Sequence, residues 1–317
     1  MFSLLSSEVS RTLEMPLKVP LTCYSSLRPT FLHPDTLIEA VQMLAEYGQR
    51  ACVIGGTVSP PPGEMRPEVF IDASGLADMT GIHQFGGKVI IGANMPHSII
   101  AHASLARTHS ACLVEACEGK DDPSASLLLY DFRPGIDFPP TLPALLALDA
   151  EIESAWLDSS GSVERSWSSL DDVWNPTIAW DSRLLLAVRF SAGGAASGNA
   201  LIFATPPPGT AALILAAAAR LSLDASTRVI SDAKVVLAPK RGAPFSSPGA
   251  AALLCNHSPD SDQIEQAAHA ALRDAQSQLS PPSQEAAYHI DLVAHLTRQA
   301  LDRSLARALR DPQVGQL

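Results

Sequence analysis

Charged residues are scarce in this chain, at 17%, and aromatics scarcer still, at 5%, while hydrophobic residues make up 46%. That balance excludes a disordered chain and predicts a globular one. The net charge is −11 and no block of Lys or Arg occurs. The reading is therefore no nucleic-acid partner and no anionic membrane partner, with the acidity serving solubility. No apolar run reaches the roughly 18 residues that suggest a spanning helix. The longest, Ala211 to Ala219, reads as a buried helix or strand. Met1 to Val19 has no continuous apolar stretch ahead of a small-residue cleavage site, so residues 1–25 are expected to form a flexible extension of a cytoplasmic protein.

Paired metal ligands are missing too. The five cysteines (Cys23, Cys52, Cys112, Cys117 and Cys255) are odd in number and sit mostly among apolar neighbours, which suggests reduced, buried thiols. None has C-x-x-C spacing, so no metal site is expected, and any iron–sulfur cluster must belong to a partner chain. The sequence contains no H-E-x-x-H, no nucleophile elbow and no P-loop. His97 and His102 are five apart, an uncommon metal spacing. His295 shares a helix face with Asp291, and that face reads as solvated.

What is present is 317 residues, enough for about two domains. Leu37, Ala40, Val41, Leu44 and Ala45 recur at helical spacing, with Asp35 or Thr36 as cap and Gly48 as stop. Ala51 to Ile54 reads as a short buried strand running into Gly55-Gly56-Thr57, where a backbone can approach a phosphate closely. Val69 to Asp72 is a second strand, and a hairpin turns at Gly86-Gly87 into Lys88 to Ala93. His97 to Ala106 and the segment from Cys112 read as helices. Pro143 to Ala150 leads into a strand, Trp167 to Trp174 reads as a polar connector, and Leu184 to Phe190 is a strand. Ser191 to Gly198 is Gly/Ala/Ser-rich, a candidate seam. Strand-like runs follow at 200–204, 213–223 and 229–237. Amphipathic helices close the chain at about 262–278 and 289–309. A clean βαβ alternation is missing, so no doubly wound sheet is expected.

The order of these pieces resembles the FAD-binding subunit of the molybdenum hydroxylases, the family of xanthine and carbon monoxide dehydrogenase flavoproteins. The resemblance runs through Arg28-Pro29, Val53-Ile54-Gly55-Gly56-Thr57, Arg66 to Asp72, Gly86-Gly87-Lys88-Val89 and Ile91-Gly92-Ala93-Asn94-Met95-Pro96-His97. It continues through Leu113-Val114-Glu115-Ala116, Leu142 to Ala150 and Glu285-x-x-Tyr288. It implies an α+β protein: a vanillyl-alcohol-oxidase (PCMH)-type FAD-binding domain over 26–190, with lobes of about 26–80 and 81–190, and a small C-terminal α+β domain over 199–317.

By the same resemblance, the backbone amides of Ile54, Gly55, Gly56, Thr57, Val58 and Ser59 form the first FAD pyrophosphate loop. Pro60-Pro61-Pro62 departs from the family pattern and removes N–H donors there. The family's second loop, with a glycine pair, falls near Leu127 to Pro140. Here Leu129 and Tyr130 replace the glycines. Either the loop is rebuilt, with Asp131, Arg133 and Asp137 supplying polar contacts, or Tyr130 and Phe132 fill the space of a lost flavin. The two functional expectations follow from this. In one, the protein is an FAD-binding oxidoreductase component beside iron–sulfur and molybdenum subunits. In the other, it is a cofactor-free descendant whose interdomain cleft takes a small apolar molecule and binds or folds it.

Overall fold

The computed structural model describes residues 29–55, 67–118, 126–132, 139–173, 183–194, 196–204, 214–239, 243–278 and 286–310. The expected extension 1–25 lies outside them.

The chain opens with a small parallel sheet. Its strands are β1 (Thr30–Leu32), β2 (Ala51–Ile54) and β3 (Val69–Asp72), in the order β1-β3-β2. Val69 faces both Thr30 and Ala51 across the ladder. Helix α1 (Leu37–Tyr47) connects β1 to β2 and buries Ala40, Val41 and Leu44. Thr36 is its cap: the Thr36 hydroxyl accepts from the Glu39 N–H, and the Glu39 carboxylate accepts from the Asp35 N–H at 2.8 Å. Gly48 ends the helix at φ +50, a backbone setting that glycine adopts without a Cβ penalty.

Next comes a five-stranded antiparallel sheet in the order β4-β5-β8-β6-β7. Its strands are β4 (Ile82–Phe85), β5 (Lys88–Gly92), β6 (Glu151–Leu157), β7 (Val163–Ser169) and β8 (Leu184–Ser191). The β4–β5 hairpin turns at Gly86 and Gly87, both at positive φ. Between β5 and β6 run short helices: α2 (His97–His102), α3 (Ser104–His109), α4 (Ala111–Glu118), α5 (Leu128–Asp131) and α6 (Thr141–Ala147). The helix expected over His97 to Ala106 is two helices, broken where Ala103 takes an extended backbone. Of the polar connector expected at Trp167 to Trp174, residues 167–173 instead complete β7 and continue into the single turn α7 (Leu170–Val173), and Trp174 lies outside the described residues. Its polarity reflects a strand none of whose residues is fully buried. Glu153 and Trp167 sit opposite each other across the β6–β7 ladder.

The third sheet is antiparallel, in the order β12-β11-β10-β9. It holds β9 (Ser197–Phe203), β10 (Ile214–Leu223), β11 (Ile230–Pro239) and β12 (Phe245–Ser246). Helices α8 (Pro248–Leu254), α9 (Ser261–Gln278) and α10 (Ala286–Ala308) complete the chain. This sheet is buried on both faces. Ala216, Ala218, Val236 and Ala238 join the core of the preceding segments. Ala217, Ala219, Leu221, Val235 and Leu237 join a second core with the closing helices. A strand covered on two sides reads as a continuous apolar run. That is why the alanine run did not distinguish strand from helix.

Polar pegs pin the two cores together across β9. The Asn199 side chain accepts from the Cys112 N–H at 2.8 Å, capping α4 from a neighbouring strand. Glu115 on α4 accepts from the Leu201 N–H and from Arg307 on α10, both at 2.7 Å.

Candidate cofactor site

The site is built where β2 leaves the parallel sheet. Ile54 is buried, and its carbonyl accepts from the Ala73 N–H at 2.8 Å, tying the β2 terminus to the end of β3. Gly55 follows. A Cβ there would lie 2.5 Å from both Asn94 Oδ1 and Leu127 Cδ1. Any larger residue there forces the tips of those two side chains to shift, because the chain passes close beside them.

Asn94 comes from the turn after β5. Its backbone N–H donates to the Met79 carbonyl and its Nδ2 to the Ala73 carbonyl, at 2.8 and 2.7 Å. Its Oδ1 is buried with no hydrogen-bond partner among the described residues. A buried unsatisfied acceptor is costly and marks a place that tolerates a polar ligand.

The segment from Leu127 to Phe132 lies on the other side of Gly55. It is stitched to the turn after β5 along its length. The His97 N–H donates to Ser126, Leu128 N–H to Met95 and Leu129 N–H to Ala93, at 2.9, 3.1 and 2.7 Å. Tyr130 is 4% exposed, and its hydroxyl accepts from the Gly55 N–H at 3.3 Å. Asp131 is 1% exposed. Its Oδ2 accepts from the Thr141 hydroxyl at 2.5 Å and lies 3.2 Å from His97 Nε2. The His97 contact is a charge-pair distance without hydrogen-bond alignment. Neither ring nitrogen of His97 has a hydrogen-bond partner among the described residues. The buried group His97, Asp131 and Thr141 therefore anchors the segment that carries Tyr130.

The residues expected at the site thus divide. Ile54, Gly55 and Asp131 gather within this one region. Gly56, Thr57, Val58, Ser59, Arg133 and Asp137 lie outside the described residues. Four contributors were not legible in the sequence: Asn94 beneath Gly55, His97 and Thr141 around Asp131, and the Tyr130 hydroxyl. A weak signal existed in the Asn94-Met95-Pro96-His97 run, where two polar side chains flank a proline turn between apolar segments.

Comparison with known proteins places this geometry. Residues 25–121 match the FAD binding domain in molybdopterin dehydrogenase. Residues 208–304 match the CO dehydrogenase flavoprotein C-terminal domain. The chain belongs to the FAD-subunit family of the molybdenum hydroxylases.

Solved structures share the fold of this family member over most of its length. A carbon monoxide dehydrogenase chain from Hydrogenophaga pseudoflava aligns with TM-score 0.74 at 20% identity, over 88% of this chain and 98% of that one. A chain of reconstituted CO dehydrogenase from Oligotropha carboxidovorans gives 0.71 at 19%, with the same coverage of both chains. A chain of quinoline 2-oxidoreductase from Pseudomonas putida 86 gives 0.66 at 17%, over 89% of this chain and 98% of that one. Comparison with curated protein sequences gives no match.

A dinucleotide therefore has the right fold to bind to, and β2 ends at the buried Gly55 beside Asn94 and Leu127. The buried, unsatisfied Asn94 Oδ1 fits a neighbouring ligand donor. One described donor is already engaged, however. The Gly55 N–H points to the Tyr130 phenol. Among the described residues no group of three or more His, Cys, Asp or Glu could hold a metal ion. None of the helices among them is long and apolar enough to cross a membrane.

Proposed function

We propose that the protein is the FAD-binding component of an oxidoreductase of the molybdenum-hydroxylase type. The observation that carries this is the order of the two matched families on one chain, an FAD binding domain followed by a flavoprotein C-terminal domain. Their positions support a division into domains at 26–190 and 199–317, with the ligand cleft where the two units meet.

The bound FAD would supply electron transfer between a donor and an acceptor. The chain's own residues do the holding. Ile54 and Gly55 set the exit of β2, and the following amides of Gly56, Thr57, Val58 and Ser59 are proposed as donors to the pyrophosphate, with Thr57 adding a hydroxyl. Asn94 supports the loop from below and offers an acceptor. Asp131 acts as an anchor, held by Thr141 and His97. Arg133 and Asp137 are proposed polar contacts of the same segment. Electron-donating partners are proposed to be separate iron–sulfur and molybdenum subunits. The described cysteines support that assignment. Cys112 and Cys255 are free thiols, and burial raises the Cys112 thiol pKa, leaving it an inert protonated side chain. Free thiols also support a reducing compartment, the cytoplasm.

A second reading is favoured by one observation: the Gly55 amide is satisfied by protein, and the segment that does so is apolar and buried at Leu127, Leu128, Leu129 and Phe132. On that reading the cleft has lost its flavin and takes a small apolar molecule. Titration of the purified protein with FAD, followed by quenching of flavin fluorescence, separates the two. Saturable stoichiometric binding supports the flavoprotein reading. The absence of binding, together with binding of apolar probes, supports the second.

A further inference from the structure

The contact between Tyr130 and Gly55 joins residues 75 apart in sequence. It is not incidental to packing, because the segment bearing Tyr130 is fixed on both sides of the ring. Ahead of it, the Leu128 and Leu129 N–H groups donate to Met95 and Ala93, and Leu127 bridges to Pro96. Behind it, Asp131 accepts from the Thr141 hydroxyl and lies against buried His97. The phenol is therefore aimed at the first donor of the β2 loop.

We propose that Tyr130 competes with the dinucleotide for the Gly55 amide, so that FAD binding displaces the phenol hydroxyl. This rests on the FAD-binding reading above. A backbone N–H makes one good hydrogen bond at a time, and the phenol oxygen and a phosphate oxygen are rival acceptors for it. A phosphate oxygen is the stronger acceptor because it is charged. The exchange still has a cost, since the buried phenol gives up its Gly55 contact and the segment around it is held by the anchors just described. Tyr130 is thus a positioning residue that sets how tightly cofactor is held, without touching the reacting atoms.

The test is Tyr130→Phe, which keeps the ring and removes the acceptor. Two quantities are read: the FAD dissociation constant by fluorescence titration, and the thermal midpoint of the cofactor-free protein. The variant is expected to bind FAD about fivefold more tightly, the equivalent of one neutral hydrogen bond no longer opposing binding. Its cofactor-free midpoint is expected to fall, because the Gly55 N–H is left unsatisfied. A purely structural role would lower the midpoint and leave FAD affinity unchanged, and that result overturns the proposal. Weaker FAD binding by the variant overturns it as well, by making the phenol a contact of the cofactor. If neither wild type nor variant binds FAD, the competition and the flavoprotein reading fail together, whereas equal binding by both removes only the competition. Should Tyr130→Phe not fold, 3-fluorotyrosine placed at position 130 alone gives a single fluorine resonance. It is expected to shift on saturation with FAD, and an unmoved resonance overturns the proposal.

Discussion

At Gly55 an added side chain runs into two neighbours. A methyl there meets Asn94 Oδ1 and Leu127 Cδ1 at 2.5 Å. Gly55→Ala should therefore destabilise the fold by about 1–3 kcal/mol, the usual cost of overpacking. Denaturant unfolding measures this, and a change below about 0.5 kcal/mol, the size of a surface substitution, would contradict the packing described. The need for glycine was legible in the sequence as Gly55-Gly56 after a strand. What occupies the space against it was not, since Asn94 and Leu127 are distant in sequence. The same holds for Tyr130. Its replacement of a glycine could be read, but not that its hydroxyl returns to the Gly55 amide, because that depends on the tertiary path of the chain. Glu151 offers a pH test at this scale. The Arg189 guanidinium, with Lys88 beside it, lowers its pKa from 4.5 to about 2. A depressed carboxyl stabilises the fold fully above about 4.5 and loses that contribution as pH falls through about 2. Glu151→Gln should lose stability less steeply than wild type between those two values. Parallel acid-unfolding curves would contradict this.

Among the elements, those with strong local signals were read correctly. Helix α1 shows its period, its Thr36 cap and its Gly48 stop within a dozen residues. The β4–β5 hairpin shows its turn glycines. Strand β7 was missed because it has no apolar alternation: five of its residues are half-buried and the adjacent Glu164 and Arg165 are exposed. Helix α8 was missed because Ser247 caps it and Pro248 opens it, a start signal that the surrounding Pro, Gly and Ser residues disguise as a loop. Strand β9 and helix α10 pack closely enough to be tested. A Cβ at Gly198 would lie 2.0 Å from the Ser304 carbonyl oxygen and 2.6 Å from the Ala308 nitrogen, both helix backbone. Backbone cannot rotate aside, so Gly198→Ala should cost about 3 kcal/mol, at the upper end of overpacking effects. Near-wild-type stability would mean that α10 does not sit on β9 as described.

For the whole molecule, the sequence order of motifs was more informative than any one motif. Gly-Gly-Thr alone is weak, but a series at compatible spacings over most of the chain implied an α+β flavoprotein fold. The matched families and the shared fold of the solved structures support that architecture. The joint between the two cores was not legible, because its partners lie far apart in sequence: Glu115 with Leu201 and Arg307, and Asn199 with Cys112. Glu115→Ala strands the Leu201 N–H and the Arg307 charge at that joint. It should lower stability by about 1–3 kcal/mol, measured by denaturant unfolding; an unchanged midpoint would show that the pegs carry little.

The central claim is that this chain holds FAD. The most direct test is the visible absorption spectrum of the protein, as purified and again after incubation with FAD and gel filtration. A flavin band should stay with the protein at about one cofactor per chain. A colourless protein that releases all added FAD would contradict it, and would make the Tyr130–Gly55 contact the mark of a cleft closed to flavin.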